Sequence, residues 1–331
     1  MKTKYLFAPF ALLVLSACSG GDEPAAPFDD SEPVEIALAA TMTAESRAGT
    51  GPVSGTNFKD GDGPAVFAYQ TTSTATTAVS SGTLYLTNIQ TKKKENENKF
   101  QFYEGSQLVH KYYPEKGEKL SFYAYYPRVD GAKSPSSISF TLDGQMDVMG
   151  APANNENNLF QKARGTDTQK QPHFAFTHLL QQLQFKLAKG TGFSDDVTVS
   201  EIKVTNTPLS CTLDATKTSG QLSFPSPNSH TAVSIKNSDK SWKIDKAADA
   251  TDNKALGSVL MVYPTEKIFN IEVVASNGVT YKATADLTAI SDAGQAGKSH
   301  LITLTFKGSE IEPTCSMTAW SDGQGKDVSV Y

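Results

Sequence analysis

Glu32-Pro33-Val34-Glu35-Ile36-Ala37-Leu38-Ala39-Ala40 places an apolar side chain at every second position from Val34 to Ala40. In an extended chain successive side chains point to opposite faces, so Val34, Ile36, Leu38 and Ala40 share one face and Glu35 lies on the other. Pro33 and the polar end Thr41-Met42-Thr43 argue against a helix. The segment reads as a half-buried strand. Behind it, residues 45–55 are small and glycine-rich and carry Arg47 and Ala48. That is an exposed loop of the kind proteases cut.

The same pattern recurs downstream. Strand character is expected at residues 65–69, 83–87, 100–103, 108–113, 120–127 and 138–142, separated by turns and by a Thr/Ser-rich stretch at 71–82 read as a mobile loop. A polar, Asn-rich connection follows at 151–171. His173 to Leu187 then opens a second unit, with Leu183, Phe185 and Leu187 entering a new core. Further strands are expected at 197–204, 210–213, 232–235, 258–263, 268–275, 280–287 and 299–306. Asn277-Gly278 between two of them is a two-residue hairpin signal. Short strands at this spacing define an all-β chain with two β-sandwich domains in tandem. The expected division is 1–17 signal peptide, 18–47 tether and first strand, 48–170 first sandwich and 171–331 second sandwich.

The chain has 331 residues, 38% hydrophobic and 20% charged, with a formal net charge of −5. No basic footprint points to nucleic acid. Lys2 and Lys4 precede an apolar run from Tyr5 to Val14, which is too short to span a bilayer as a permanent helix. Leu15-Ser16-Ala17-Cys18 follows and resembles a bacterial lipobox. That resemblance implies cleavage before Cys18, acylation of Cys18 and an outer-membrane lipid partner; an ordinary secretory signal with an incidental cysteine is the alternative. Between Cys18 and Arg47, the acids Asp22, Glu23, Asp29, Asp30, Glu32, Glu35 and Glu45 face the single base Arg47. The acidity of the chain is thus concentrated in the tether.

Candidate chemistry is sparse. His173 and His178 are five residues apart and lack the spacing and adjacent Glu of a zinc helix. Asp60-Gly61-Asp62-Gly63 lacks the further ligands of a calcium loop and reads as a turn. There is no Gly-x-Ser-x-Gly elbow and no phosphate-cradling loop. No enzyme activity, cofactor or metal is therefore expected. Cys211 and Cys315 either pair in an oxidising envelope or are small buried thiols. Leu120 to Pro127 is the most aromatic stretch; it reads as core, or as a ligand platform using Tyr123, Tyr125 and Tyr126.

Several pieces, taken in order, resemble the fimbrillin family of Bacteroidota, the subunits of type V pili. They are the lipobox, the Ser46-Arg47-Ala48 loop, Gly61-Asp62 leading into Val66-Phe67, Phe122-Tyr123-Ala124-Tyr125-Tyr126-Pro127, and Phe176-Thr177-His178 leading into Leu183 to Leu187. Ala296-Gly297-Lys298 before Leu301 to Phe306, and Trp320, complete the set. The chain departs from the pattern at Phe58, where the family has Trp, and in a short tail from Ser321 to Tyr331. The resemblance implies two transthyretin-like β-sandwiches, lipoprotein export to an outer-membrane or cell-surface fimbrium, and cutting after Arg47 by a trypsin-like or Arg-specific protease.

Loss of Val34, Ile36 and Leu38 from a sheet would then leave an edge that another pilus subunit's strand can fill. Val328, Val330 and Tyr331 are candidates for the donated strand, or form the last strand of their own domain. A monomeric anchored lipoprotein binding glycan or a host ligand is the alternative function.

Overall fold

In the first half of the chain the strands are β1 (Ala39–Thr43), β2 (Ala65–Thr71), β3 (Leu84–Lys93), β4 (Phe100–Glu104), β5 (Gln107–Val109), β6 (Lys119–Tyr126), β7 (Ile138–Thr141), β8 (Met149–Pro152) and β9 (His173–His178). In the second they are β10 (Gln181–Lys189), β11 (Val199–Pro208), β12 (Ser210–Asp214), β13 (Gln221–Ser223), β14 (His230–Lys236), β15 (Val259–Val262), β16 (Ile268–Ala275), β17 (Thr280–Asp286), β18 (Ser299–Lys307) and β19 (Glu310–Thr318). The computed structural model describes residues 32–43, 58, 60–97, 99–153, 158–162, 171–193, 197–225, 230–239 and 241–318. From Pro33 onward these residues belong to one compact unit. Among them there is no helix, and the protein is all-β.

Among the described residues, four sheets carry the fold. The first is eight-stranded, in the order β1-β9-β8-β6-β2-β3-β4-β5. Its central strands are apolar at almost every position because both faces are covered. Val66 and Ala68 of β2 and Phe122 and Ala124 of β6 enter one core, with Phe102, Phe160, Phe174 and Phe176. Ala65, Phe67 and Tyr125 point the other way, into a core shared with Phe140, Cys211 and Leu213. That second face is covered by a three-stranded sheet, β13-β12-β7.

The other two sheets, β15-β10-β18-β19 and β14-β11-β16-β17, sandwich the largest core. Its centre holds Phe185, Ile202, Val273, Phe269, Leu304 and Phe306. The expected hairpin is present: β16 and β17 pair from Ile268↔Asp286 to Val274↔Thr280, and Gly278 in the turn has φ +81°.

Sheet membership differs from the sequence expectation in two places. His173–His178 is expected to open the second unit, yet β9 pairs with β1 and β8 in the first sheet. The new core starts at β10, where Leu183 and Phe185 are fully buried. Ser210–Asp214 comes from the second half of the chain but pairs with β7 of the first, with Cys211 opposite Phe140. Local alternation identifies a strand and not its partner, so neither crossing is visible in the pattern.

The stretch at 71–82 also differs from a mobile loop. Ser121 Oγ accepts from Val79 N at 3.1 Å, Tyr123 Oη donates to Val79 O at 3.0 Å, and Lys119 Nζ donates to Ala75 O at 2.7 Å. Side chains of β6 hold it down.

Candidate functional site

The regular strand β1 starts at Ala39 and runs to Thr43, later than the alternation alone indicates. Thr41 to Thr43 continue it in parallel register with β9, from Ala39↔His173 to Thr43↔Thr177. The preceding residues work differently. Glu35 and Leu38 make isolated antiparallel bridges to Tyr112 and Phe100, at the opposite end of the sheet from β9. Among the described residues, four backbone hydrogen bonds hold this part: Tyr113 N to Val34 O at 2.9 Å, Ile36 N to Lys111 O at 2.7 Å, Phe100 N to Leu38 O at 3.1 Å and Ala39 N to Pro172 O at 3.0 Å.

Val34 to Thr43 therefore acts as a staple: it bonds to both ends of the eight-stranded sheet and closes it on itself. Its alternation seals the interior. Ile36, Leu38 and Ala40 are each 2% exposed and Val34 packs against the same core, whereas Glu35 is exposed and its Oε1 lies 2.7 Å from His110 Nδ1. Burying an Ile or Leu side chain contributes roughly 1.5–3 kcal/mol, so the apolar face outweighs a few backbone bonds to partly exposed chain.

Four pieces far apart in sequence meet in the core that the staple seals. The Phe58 ring makes edge contacts with Phe100 at 5.4 Å, Tyr126 at 5.3 Å and Phe176 at 5.4 Å. Tyr126 Oη donates to Asp62 Oδ2 at 2.7 Å, and Asp62 Oδ1 accepts from Gly63 N at 2.7 Å. A Cβ at Gly63 would stand 2.7 Å from the carbonyl oxygen of Thr91, so the chain can pass there only as glycine. Asp60, on the same turn, pairs with Lys93. The Asp60–Gly63 turn is thus a structural tie between β2, β3 and β6.

The edge that receives the staple is shaped by residues the sequence reading did not single out. Tyr85 Oη donates to Tyr112 O at 2.6 Å. Tyr112 points its own carbonyl away from the staple, and the Tyr85 hydroxyl stands where a neighbouring strand would otherwise bond. Tyr113, 5% exposed, lies next to Tyr112 with its ring in the core and its hydroxyl without a hydrogen-bond partner among the described residues. Burial raises its hydroxyl pKa well above the ordinary tyrosine value. Residues 108–113 read as one strand from the sequence, but β5 ends at Val109 and the next residues serve the staple.

Cys18, Arg47, Ala48, Val328, Val330, Tyr331 and Trp320 lie outside the described residues. Val34, Ile36 and Leu38 are brought together on one face, as above. Cys211 and Cys315 sit against different cores as free thiols. Burial pushes the Cys211 thiol up to about 12 and that of Cys315 up to about 11, so neither is a ready nucleophile.

The ligand-platform reading of the aromatic stretch does not hold. Tyr123 is 3% exposed, Tyr125 is fully buried and Tyr126 is half-buried against Phe58. Tyr125 Oη donates to Asn88 Oδ1 at 2.6 Å and accepts from Val129 N at 3.0 Å. Burial pushes the hydroxyls of Tyr123 and Tyr125 up to about 12 and that of Tyr126 higher. Among the described residues, no group of three or more His, Cys, Asp or Glu side chains could hold a metal, and no helix is long and apolar enough to cross a membrane.

The fimbrillin-like family matches residues 46–320, and the chain belongs to it. No curated protein matches the chain. Among solved structures it is similar to "a putative cell adhesion protein" from Bacteroides uniformis, at 18% identity over 87% of this chain and 99% of that one, with a TM-score of 0.53. A second, from Bacteroides ovatus and described in the same words, is also 18% identical over 88% of this chain and 98% of that one, with a TM-score of 0.52. At such identities the likeness is one of fold.

Proposed function

We propose that this protein is a structural, non-enzymatic subunit of an adhesive surface fimbrium at the outer membrane, and that its staple is a temporary occupant of the first sheet. In this reading the chain is exported as a lipoprotein and anchored by acylated Cys18. A trypsin-like or Arg-specific protease then cuts between Arg47 and Ala48. Val34 to Thr43 departs, and a strand from another subunit takes its place. Val328, Val330 and Tyr331 are the candidate donor residues.

Family membership supports the fimbrial role. The observation that carries the exchange is the way the staple is held. It is covalently joined to the body only through residues 44–57, it seals a core with Ile36, Leu38 and Ala40, and between Val34 and Leu38 it makes bridges in place of a continuous ladder. A strand that leaves exposes apolar surface and unpaired backbone edges, which another strand can cover with main-chain bonds and side-chain pockets. Intact, it hides them.

Mild trypsin on the purified protein is the direct test. One cut giving a new N-terminus at Ala48, followed by a ladder of multimers, is the expected result. Arg47→Ala should remove both. Multimers from Arg47→Ala at the parent rate would exclude cleavage as the trigger, and undiminished assembly after deletion of residues 327–331 would exclude the tail as donor.

A further inference from the structure

The orphan hydroxyl of Tyr113 marks a mismatch between the first sheet and its resident segment. Tyr112 bridges Glu35 in antiparallel register, so Tyr113 stands directly across from Val34. The bond from Tyr113 N to Val34 O, 2.9 Å, fixes that register. Both side chains face the core: Tyr113 is 5% exposed, and Val34 packs against the same cluster. A phenol hydroxyl is both donor and acceptor, and a buried one ordinarily finds a partner. Here the cross-strand neighbour is an aliphatic side chain with neither function, and among the described residues the hydroxyl has no partner.

An unmet buried donor carries the full cost of its desolvation, whereas the same group satisfied is roughly neutral or favourable. The penalty falls on the state in which Val34 is opposite Tyr113. It disappears for a strand whose side chain at that position is long enough to bring an oxygen or amide within hydrogen-bond distance of the hydroxyl. The edge itself is held ready for such a strand, because Tyr85 Oη fixes the carbonyl of Tyr112 at 2.6 Å from outside the staple.

We propose that Tyr113 is a specificity-determining residue of the strand-accepting groove: it selects an incoming strand whose residue at the Val34 position carries a hydrogen-bonding side chain. The partner is a β-strand of another protein chain, apolar at the positions of Ile36, Leu38 and Ala40 and polar at this one. The resident segment is discriminated against by the same hydroxyl, so the selection also favours its release. The inference rests on the exchange reading above.

The test has two arms. In the intact chain, Val34→Thr, Val34→Asn and Val34→Gln are each combined with Tyr113→Phe in double-mutant cycles read by urea unfolding. At least one polar replacement should raise the midpoint when Tyr113 is present and lower it when Phe is. If all three lower the midpoint equally in both backgrounds, the hydroxyl has no unmet bond and the proposal fails.

In the trypsin-cut protein, synthetic peptides of the residue 34–42 sequence are compared with Val or with the best polar residue at the first position. The polar peptide should bind about tenfold more tightly, a ratio that corresponds to one hydrogen bond gained. Tyr113→Phe should reduce the ratio to one or below. Equal binding of both peptides by the parent overturns the selection while leaving strand replacement standing. Binding of neither peptide overturns strand replacement and the selection with it, and any coupling seen in the intact chain would then belong to the resident segment alone.

Discussion

The eight-stranded sheet and the sandwich of β10, β11 and β14–β19 solve the same problem differently. Each must close a core and leave no long open edge. The second does so with continuous ladders: β10 and β18 pair over Gln182↔Ser299 to Lys189↔Phe306, and β18 and β19 over Ser299↔Thr318 to Lys307↔Glu310. The first depends on a short segment that reaches it from the N-terminal side and bonds to both of its ends. A core sealed by contiguous strands opens only with the whole sandwich. A core sealed by a staple can open at the staple, because few backbone bonds need to break and the exposed apolar area is confined to one stripe. Stability is then expected to be unequal across the molecule, with the low end at the staple.

The largest effect should come from the second core. Phe269→Ala removes a fully buried ring among Ile271, Val273 and Phe306 and should cost about 3–5 kcal/mol. Leu38→Ala should fall near the lower end of the 2–5 kcal/mol range for such changes, because a released staple relieves part of the cavity. Urea unfolding followed by Trp242 fluorescence, in a Trp320→Phe background, should show the first loss and be nearly blind to the second, since Trp242 packs in the second core. Equal losses at Trp242 would mean that the two regions unfold as one.

A smaller effect separates the regions by acidity. His300 on β18 is fully buried, and among the described residues neither ring nitrogen has a hydrogen-bond partner. Burial lowers its pKa, against a weaker opposing pull from Asp292. The folded pKa lies below the unfolded one, so the unfolded chain takes up the proton first. The stabilisation is complete above the ordinary histidine value of about 6.5 and is lost as the pH falls from there through the depressed folded value. His300→Phe should flatten the decline of the second region's melting temperature between about pH 7 and pH 5. A decline as steep as in the parent would put the acid sensitivity elsewhere.

The least change is expected from Tyr85→Phe. The ring is 37% exposed and the lost bond reaches the carbonyl of Tyr112, so the intact protein should lose no more than about 0.5–1.5 kcal/mol. Amide exchange should report it more sharply. Tyr113 N–H and Ile36 N–H, which bond across the staple, should lose protection, while amides in β18 keep theirs. Loss of protection in both regions would remove the distinction between a staple and a ladder.

Much of this was open to reading from the residues. Alternation at Val34, Ile36, Leu38 and Ala40 gave a strand with one buried face; that β2 and β6 are covered on both faces is visible only in the structure. The Asn277-Gly278 turn was legible because only a few residue types accept its backbone. The motifs at Gly61-Asp62, Phe122–Pro127 and Phe176 pointed to the family only together and in their order along the chain. Nothing in them revealed that Asp62 would accept from Tyr126, or that Phe58 would touch Phe100, Tyr126 and Phe176 together.

What the sequence determined by itself is therefore the class of element and the direction each side chain faces, since both follow from local sterics and a period of two. Partnership was left to the tertiary structure. β9 belongs to the first sheet, β12 pairs with β7, and Val34 to Thr43 joins both ends of one sheet because main-chain hydrogen bonds are the same for every residue and carry no address. Only the packing of distant side chains, Leu38 and Phe58 into the core and Tyr113 opposite Val34, selects one pairing among many.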